Sequence, residues 1–122
     1  MAAMAAVQAA KPKPDPYRVI VALADARRRE LLEVLADGRG ASAGGLAEVL
    51  RVSRQAVAQH LAVLEEACLV SRQRAGRRVL FTVRPEGLAA AAHWLTARAA
   101  AWQASQQARQ KGRPDQGKDT LL

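Results

Sequence analysis

Between residues 15 and 108, apolar side chains recur every three or four positions, then every second position, then every three or four again. Asp15-Pro16 suits a helix start, because the carboxylate can cap free amides and proline fits the first helical position. Tyr17, Ile20, Val21 and Leu23 follow at helical spacing. Asp25 is placed to cap a second helix with Leu31, Leu32 and Leu35 on its inner face and Asp37-Gly38 at its end. Residues 38–41 read as a loop. Ser42 is expected to cap a short third helix carrying Leu46, Val49 and Leu50, locally weakened by Gly44 and Gly45 in its first turn. Arg51-Val52 makes a turn, and Ser53 caps a fourth helix that runs to about Ala67. The period then shortens: 69–74 and 79–83 predict two strands joined through Ala75-Gly76-Arg77. Val79, Phe81 and Val83 should face one way, and Arg78, Leu80, Thr82 and Arg84 the other. Pro85 opens a long last helix, from about Glu86 to Ala108, with Leu88, Leu95, Ala99 and Trp102 near heptad spacing.

The expected fold is therefore mainly α with a small β-hairpin, in the order ααααββα: a helix-turn-helix followed by a wing. Residues 1–14, alanine-rich and ending in Lys11-Pro12-Lys13-Pro14, read as a flexible arm. Residues 15–108 form the winged helix domain, and 109–122 a disordered polar tail.

Wound at about 100° per residue, the segment 53–64 sorts by chemistry. Arg54, Gln55, Ala58, Gln59 and Ala62 fall on one side; Ala56, Val57, Leu61 and Leu64 fall on the other, with His60 and Val63 near them. Such a helix can bury one face and present the other to a DNA major groove. There Arg54 suits guanine O6 and N7, and Gln55 or Gln59 suits adenine N6 and N7. Ala58 lies beside them as a candidate base contact, while Ser53 and Ser42, as caps, are candidates for phosphate. The competing reading is an ordinary amphipathic helix with a solvated polar side. The hairpin weighs against it: Arg72, Arg74, Arg77, Arg78 and Arg84 lie there with no acidic residue. That suits a wing along phosphates, although a charged edge strand that resists aggregation has the same look.

Charge agrees with a polyanionic partner: the 122-residue chain carries a formal net charge of +8 and a pI of about 11.0. Aromatics make up only 3%, so the core must be built from Leu, Val and Ala. A single cysteine, Cys68, excludes an intrachain disulfide and a CxxC metal framework. With no transmembrane-length apolar run and no signal peptide in 1–10, the expected location is the cytoplasm, with no membrane partner. Met4 is an alternative start. Two histidines, one cysteine, no glycine-rich phosphate loop and no Ser/His/Asp arrangement speak against an enzyme.

Tyr17, Ile20 and Val21 near one end, and Trp94, Leu95 and Trp102 near the other, are too apolar for solvent-facing helix surfaces. They predict a homodimer interface, which would set two recognition helices about one DNA turn apart. For Trp94, packing within its own subunit is the alternative.

The runs Leu23-Ala24-Asp25-Ala26-Arg27-Arg28-Arg29-Glu30-Leu31-Leu32, Gly45-Leu46-Ala47-Glu48-Val49-Leu50 and Ser53-Arg54-Gln55-Ala56-Val57-Ala58-Gln59-His60-Leu61-Ala62-Val63-Leu64-Glu65-Glu66-Ala67 together resemble the ArsR family of bacterial winged-helix repressors, over about residues 17–105. The spacing of Trp94 and Trp102 after the wing resembles the metal-independent, autorepressor-like branch. The resemblance implies a homodimer that binds double-stranded DNA at a palindromic operator and represses transcription; it names no small-molecule inducer. Where the family's arsenic and cadmium sensors place thiolates, this chain has Ser42 and Gly44, and the last helix offers only His93 and Glu86 in place of a zinc cluster. No metal and no cofactor are expected. His60 matches a position that is commonly His in the family, with a packing or phosphate-contact role. Cys68 stands where relatives usually have a glycine that closes the recognition helix in a left-handed conformation. Cysteine pays a steric penalty there, so either the turn differs in this chain or the thiol has a use: Arg72 and Arg74 would favour its thiolate and make it a redox sensor, against which stands a plain substitution. Two alternatives to the repressor follow: a winged-helix module that docks another protein, and a redox-responsive repressor sensing through Cys68.

Overall fold

In the computed structural model, which describes residues 13–111, each of the first four helices starts at the capping residue expected for it. Asp15 accepts a hydrogen bond from the Tyr17 amide at 3.0 Å and opens α1, Pro16–Leu23. Asp25 accepts from the amides of Arg27 and Arg28 at 2.8 and 3.3 Å and opens α2, Ala26–Val34. Ser42 Oγ accepts from the Gly45 amide at 3.1 Å ahead of α3, Ala43–Leu50. Ser53 Oγ accepts from the Ala56 amide at 3.0 Å ahead of α4, Arg54–Glu66. Each cap satisfies an amide with no partner inside its helix.

The corner between α1 and α2 is held by arginine. Arg28 Nε donates to the Ala22 carbonyl at 2.6 Å, and Arg29 Nη1 donates to the Leu23 carbonyl at 2.6 Å. Cations thus sit on the negative end of the α1 dipole. After α2 a short 3-10 turn, Leu35–Asp37, closes at Gly38 with φ +79°.

The hairpin consists of β1, Val70–Ala75, and β2, Arg78–Val83, antiparallel from Val70↔Val83 to Ala75↔Arg78. Its loop is Gly76-Arg77, shorter than expected, and Gly76 carries the positive φ (+64°) that such a tight connection needs. The last helix, α5, is Pro85–Lys111. Residues 109–111, assigned to the polar tail from sequence, are therefore helical; the rest of that tail, and all of the N-terminal arm except Lys13 and Pro14, lie outside the described residues. The order is ααααββα, the fold class expected.

One core gathers Val19, Leu31, Leu35, Leu46, Val57, Leu61, Leu64, Leu69, Val70 and Phe81, and among the described residues no polar or charged residue is buried with them. Packing divides the chain after Ala91. Up to that point α5 contributes the buried Gly87 and Ala91. Residues 92–111, taken by themselves, are a helix exposed along its whole length.

Two local expectations are corrected. Residues 38–41 are not simply a loop: the Ala41 amide donates to the Phe81 carbonyl at 3.1 Å and the Phe81 amide donates to the Ala41 carbonyl at 2.8 Å, so Ala41 pairs with the free edge of β2. This places Gly40 over Leu80 and Thr82, both half-buried. Val49 is exposed, because α3 buries Leu46 and Ala47 and half-buries Leu50, and Val49 is rotated away from the face those three share.

Candidate nucleic-acid interface

Helix α4 presents the polar arc expected of it. Arg54, Gln55, Ala58, Gln59 and Ala62 are all exposed, whereas Val57, Leu61 and Leu64 are buried and Ala56 half-buried. Burying the apolar arc fixes the helix about its axis, so the polar arc has only one direction to face. Arg54 and Ala58 line an open cleft of about 640 Å³ together with Ser42, Glu48, Arg72, Arg77 and Arg78. The cleft joins the start of α3, the start of α4 and the wing, residues brought together from three separate stretches of chain. Gln55 and Gln59 lie on α4 outside the cleft lining. Ser42 and Ser53 each use an Oγ lone pair for capping and keep a hydroxyl proton to donate.

The arginines of the wing divide into two groups. Among the described residues Arg74, Arg77 and Arg78 form no ion pair and are exposed. Arg84 lies 3.6 Å from Glu86. Arg72, expected to serve the backbone, is instead gripped by Glu65 of α4: Nη2 donates to Oε1 at 2.7 Å and Nε to Oε2 at 2.9 Å. Those hydrogen bonds, and the charge of Glu65, raise the Arg72 pKa above its ordinary value. Its carbon also sits 5.4 Å from the Phe81 ring centroid, a cation–π distance. The pair is invisible within the hairpin's own sequence, which contains no acid; the acid comes from the preceding helix.

His60 is half-buried and lines a small pocket of about 180 Å³ with Arg27, Leu31, Leu50, Val52 and Val57, on the side of α4 away from the polar arc. Of the two roles expected for it, this position favours packing. Its charge also reaches Asp25: desolvation pushes that carboxyl up, but the amides of Arg28 and Arg27 and the charges of Arg28 and His60 outweigh it and hold the pKa below the ordinary value.

Cys68 has φ +62°, so the turn does not differ: the chain is left-handed at the end of α4 despite the side chain. The residue is only 4% exposed. A redox-sensing thiol must be reached by its oxidant, so burial removes the support for a sensor and leaves a residue that closes the helix.

The candidate interface residues of the ends are exposed, each in its own part of the chain. Tyr17, Ile20 and Val21 stand out from α1, with Tyr17 72% exposed. On α5, Trp94 and Leu95 are exposed and Trp102 is 71% exposed. Trp94 is covered in part by the Arg98 guanidinium, 5.4 Å from its ring centroid.

Among the described residues no helix is long and apolar enough to cross a membrane. Comparison with known proteins agrees with the fold. A helix-turn-helix domain family model matches residues 23–73. The HTH-type transcriptional regulator Rv2034 of Mycobacterium tuberculosis is 51% identical over 76 residues, 62% of this chain and 70% of the relative. The transcriptional repressor SdpR of Bacillus subtilis is 29% identical over 77 residues, 63% of this chain and 84% of that protein. Among solved structures, an ArsR-like transcriptional regulator from Rhodococcus sp. RHA1 superposes with a TM-score of 0.73 at 35% identity, covering 78% of this chain and 86% of its own. The homodimeric winged helix-turn-helix DNA-binding domain of Mb0332 from Mycobacterium bovis, a possible ArsR-family regulator, gives a TM-score of 0.56 at 26% identity over 69% of this chain and 77% of its own. All four are named as regulators, in agreement with the expectation that the chain is not an enzyme. Capped α3 and α4 at the centre, an arginine-rich hairpin after them, and a relative identical at half its aligned positions place this chain in the ArsR family of winged helix-turn-helix transcriptional regulators.

Proposed function

We propose that the chain is a cytoplasmic repressor that binds double-stranded DNA as a homodimer at an inverted-repeat operator. The observation that carries this reading is the cleft in which Arg54 and Ala58 of α4 meet Ser42, Arg77 and Arg78. In a major groove, Arg54 reads guanine and Gln55 or Gln59 adenine, while Arg74, Arg77 and Arg78 lie along phosphates. Ser42 and Ser53 donate their hydroxyls to the backbone at the helix starts.

A second copy covers the apolar faces of α1 and α5. Support comes from the exposure of Tyr17 and Trp102, costly for a monomer in water, and from the homodimeric Mb0332 domain. Two-fold symmetry then sets two α4 helices about 34 Å apart, one DNA turn. Repression follows from occupying the operator, as the name of the SdpR relative suggests. Ser42 and Gly44, at the positions where metal-sensing relatives carry thiolates, support a metal-independent mode.

Selection of bound sequences from random duplexes tests the reading. An enriched inverted repeat is the expected result; enrichment of single half-sites, or none at moderate salt, overturns it. Among the alternatives, a protein-docking module is disfavoured by the exposed Arg54, Gln55 and Gln59 beside Arg74, Arg77 and Arg78, which form no ion pair among the described residues.

A further inference from the structure

Arg74, Arg77 and Arg78 of the wing have no acidic partner among the described residues; Arg72, also exposed, has one. It reaches from β1 to the last turn of α4 and holds both carboxylate oxygens of Glu65, at 2.7 to 3.1 Å. On its other side it lies over Phe81, its cross-strand partner, whose backbone pairs with Ala41 immediately before the α3 cap Ser42. One guanidinium therefore touches the recognition helix and the wing strand that is tied to the start of α3. The chain between Glu65 and Arg72 turns at Cys68, in a left-handed conformation, so the pair spans the corner where the wing leaves the helix.

We propose that Glu65 and Arg72 form a latch that sets the angle of the wing against α4, and that Arg72 is a positioning residue rather than a phosphate ligand. The proposal rests on the DNA-binding reading above. A two-pronged pair suits a latch, because a planar guanidinium meeting both carboxylate oxygens defines orientation, which a lysine ammonium cannot. An angle fixed before binding lets Arg77 and Arg78 meet phosphates while Arg54 meets its base, without an ordering cost at the moment of contact.

The test uses the full chain with a duplex selected from a random pool and with a mixed-sequence duplex, each titrated across a salt series. Arg77→Ala serves as the phosphate-contact reference and lowers the log–log salt slope by about one. Glu65→Gln and Arg72→Lys are the informative variants, since the first keeps the shape and removes the charge while the second keeps the charge and removes the planar fork. Each is expected to weaken the selected duplex by about three- to fivefold, leave the mixed duplex unchanged and keep the wild-type salt slope. A bare loss of negative charge at Glu65 would instead tighten binding to every duplex. If Glu65→Gln tightens both duplexes, or Arg72→Lys behaves as wild type while Arg72→Ala lowers the slope by about one, Arg72 is a phosphate ligand and the proposal is wrong.

Hydrogen exchange on the DNA-free chain separates the latch from the underlying reading. Faster exchange of the β1–β2 amides in Glu65→Gln supports the latch, even if the wild type prefers no duplex and the DNA reading fails. Unchanged exchange overturns the latch, whatever the duplexes show.

Discussion

Gly87 of α5 lies against the backbone of Cys68: a Cβ at Gly87 would stand 2.6 Å from the Cys68 carbonyl oxygen and 3.1 Å from Leu69 Cδ2. The end of the recognition helix and the start of the last helix thus meet backbone to backbone, at the corner from which the wing departs.

Gly87→Ala is therefore expected to destabilise the fold by about 1–3 kcal/mol, since the neighbour that must move is main chain. Gly44, also helical, has nothing within 4 Å of its added Cβ. Gly44→Ala should stabilise by up to about 1 kcal/mol through helix propensity alone. Urea denaturation of both variants checks the contrast; equal effects would mean that the close approach does not decide the outcome.

Arg51 closes α3 with φ +57° and its side chain is exposed. Glycine there removes the left-handed penalty without losing packing, so Arg51→Gly should gain about 1 kcal/mol, or about 4–8 °C in melting temperature. Cys68 shares the conformation but is buried. Relief of strain in Cys68→Gly is offset by lost contacts, and the gain should be smaller than at Arg51. Thermal melts of the two variants decide the ranking.

Base reading by Arg54 predicts that Arg54→Ala weakens binding to the preferred duplex by about 1–3 kcal/mol and relaxes preference at one position per half-site. Repeating the random-duplex selection with the variant shows this directly. Uniform loss across all sequences would assign Arg54 to the backbone.

Trp102→Ala should shift the protein from dimer towards monomer and weaken operator binding with it, because a large exposed indole on α5 is offered to the second copy. Sedimentation equilibrium reads the first effect. An unchanged dimer removes Trp102 from the interface.

Asp25 has a folded-state pKa below its ordinary value, so its charged form favours folding. The contribution is complete above the unfolded carboxylate range, near pH 4, and is lost as pH falls through the lower folded value. Asn caps equally well but does not titrate. The difference in melting temperature between wild type and Asp25→Asn should therefore be larger above the carboxylate range and shrink below about pH 4. A difference that does not vary with pH would show that the charge is irrelevant.

Local chemistry was enough to read a large part of this molecule. A capping side chain acts within three residues of itself, so Asp15, Asp25, Ser42 and Ser53 mark their helices whatever the rest of the chain does. The same holds for the polar arc of α4, because helical periodicity alone separates Arg54 and Ala58 from Val57 and Leu61. The wing was legible from its change of period, whereas the left-handed backbone at Cys68 was one of two readings that the sequence left open.

Contacts between distant stretches were not legible in this way. Ala41 pairs with Phe81 far along the chain, His60 turns into a pocket built partly from α2, and Glu65 neutralises one arginine of a hairpin that by itself holds no acid. Each of these depends on where folding brings a second segment, and the period of either segment carries no information about the other. Short-range hydrogen bonding and burial pattern thus specify which elements form and which side of each is wet. Only the packed chain decides which of the exposed charges remain available to a partner and which are already engaged with one another.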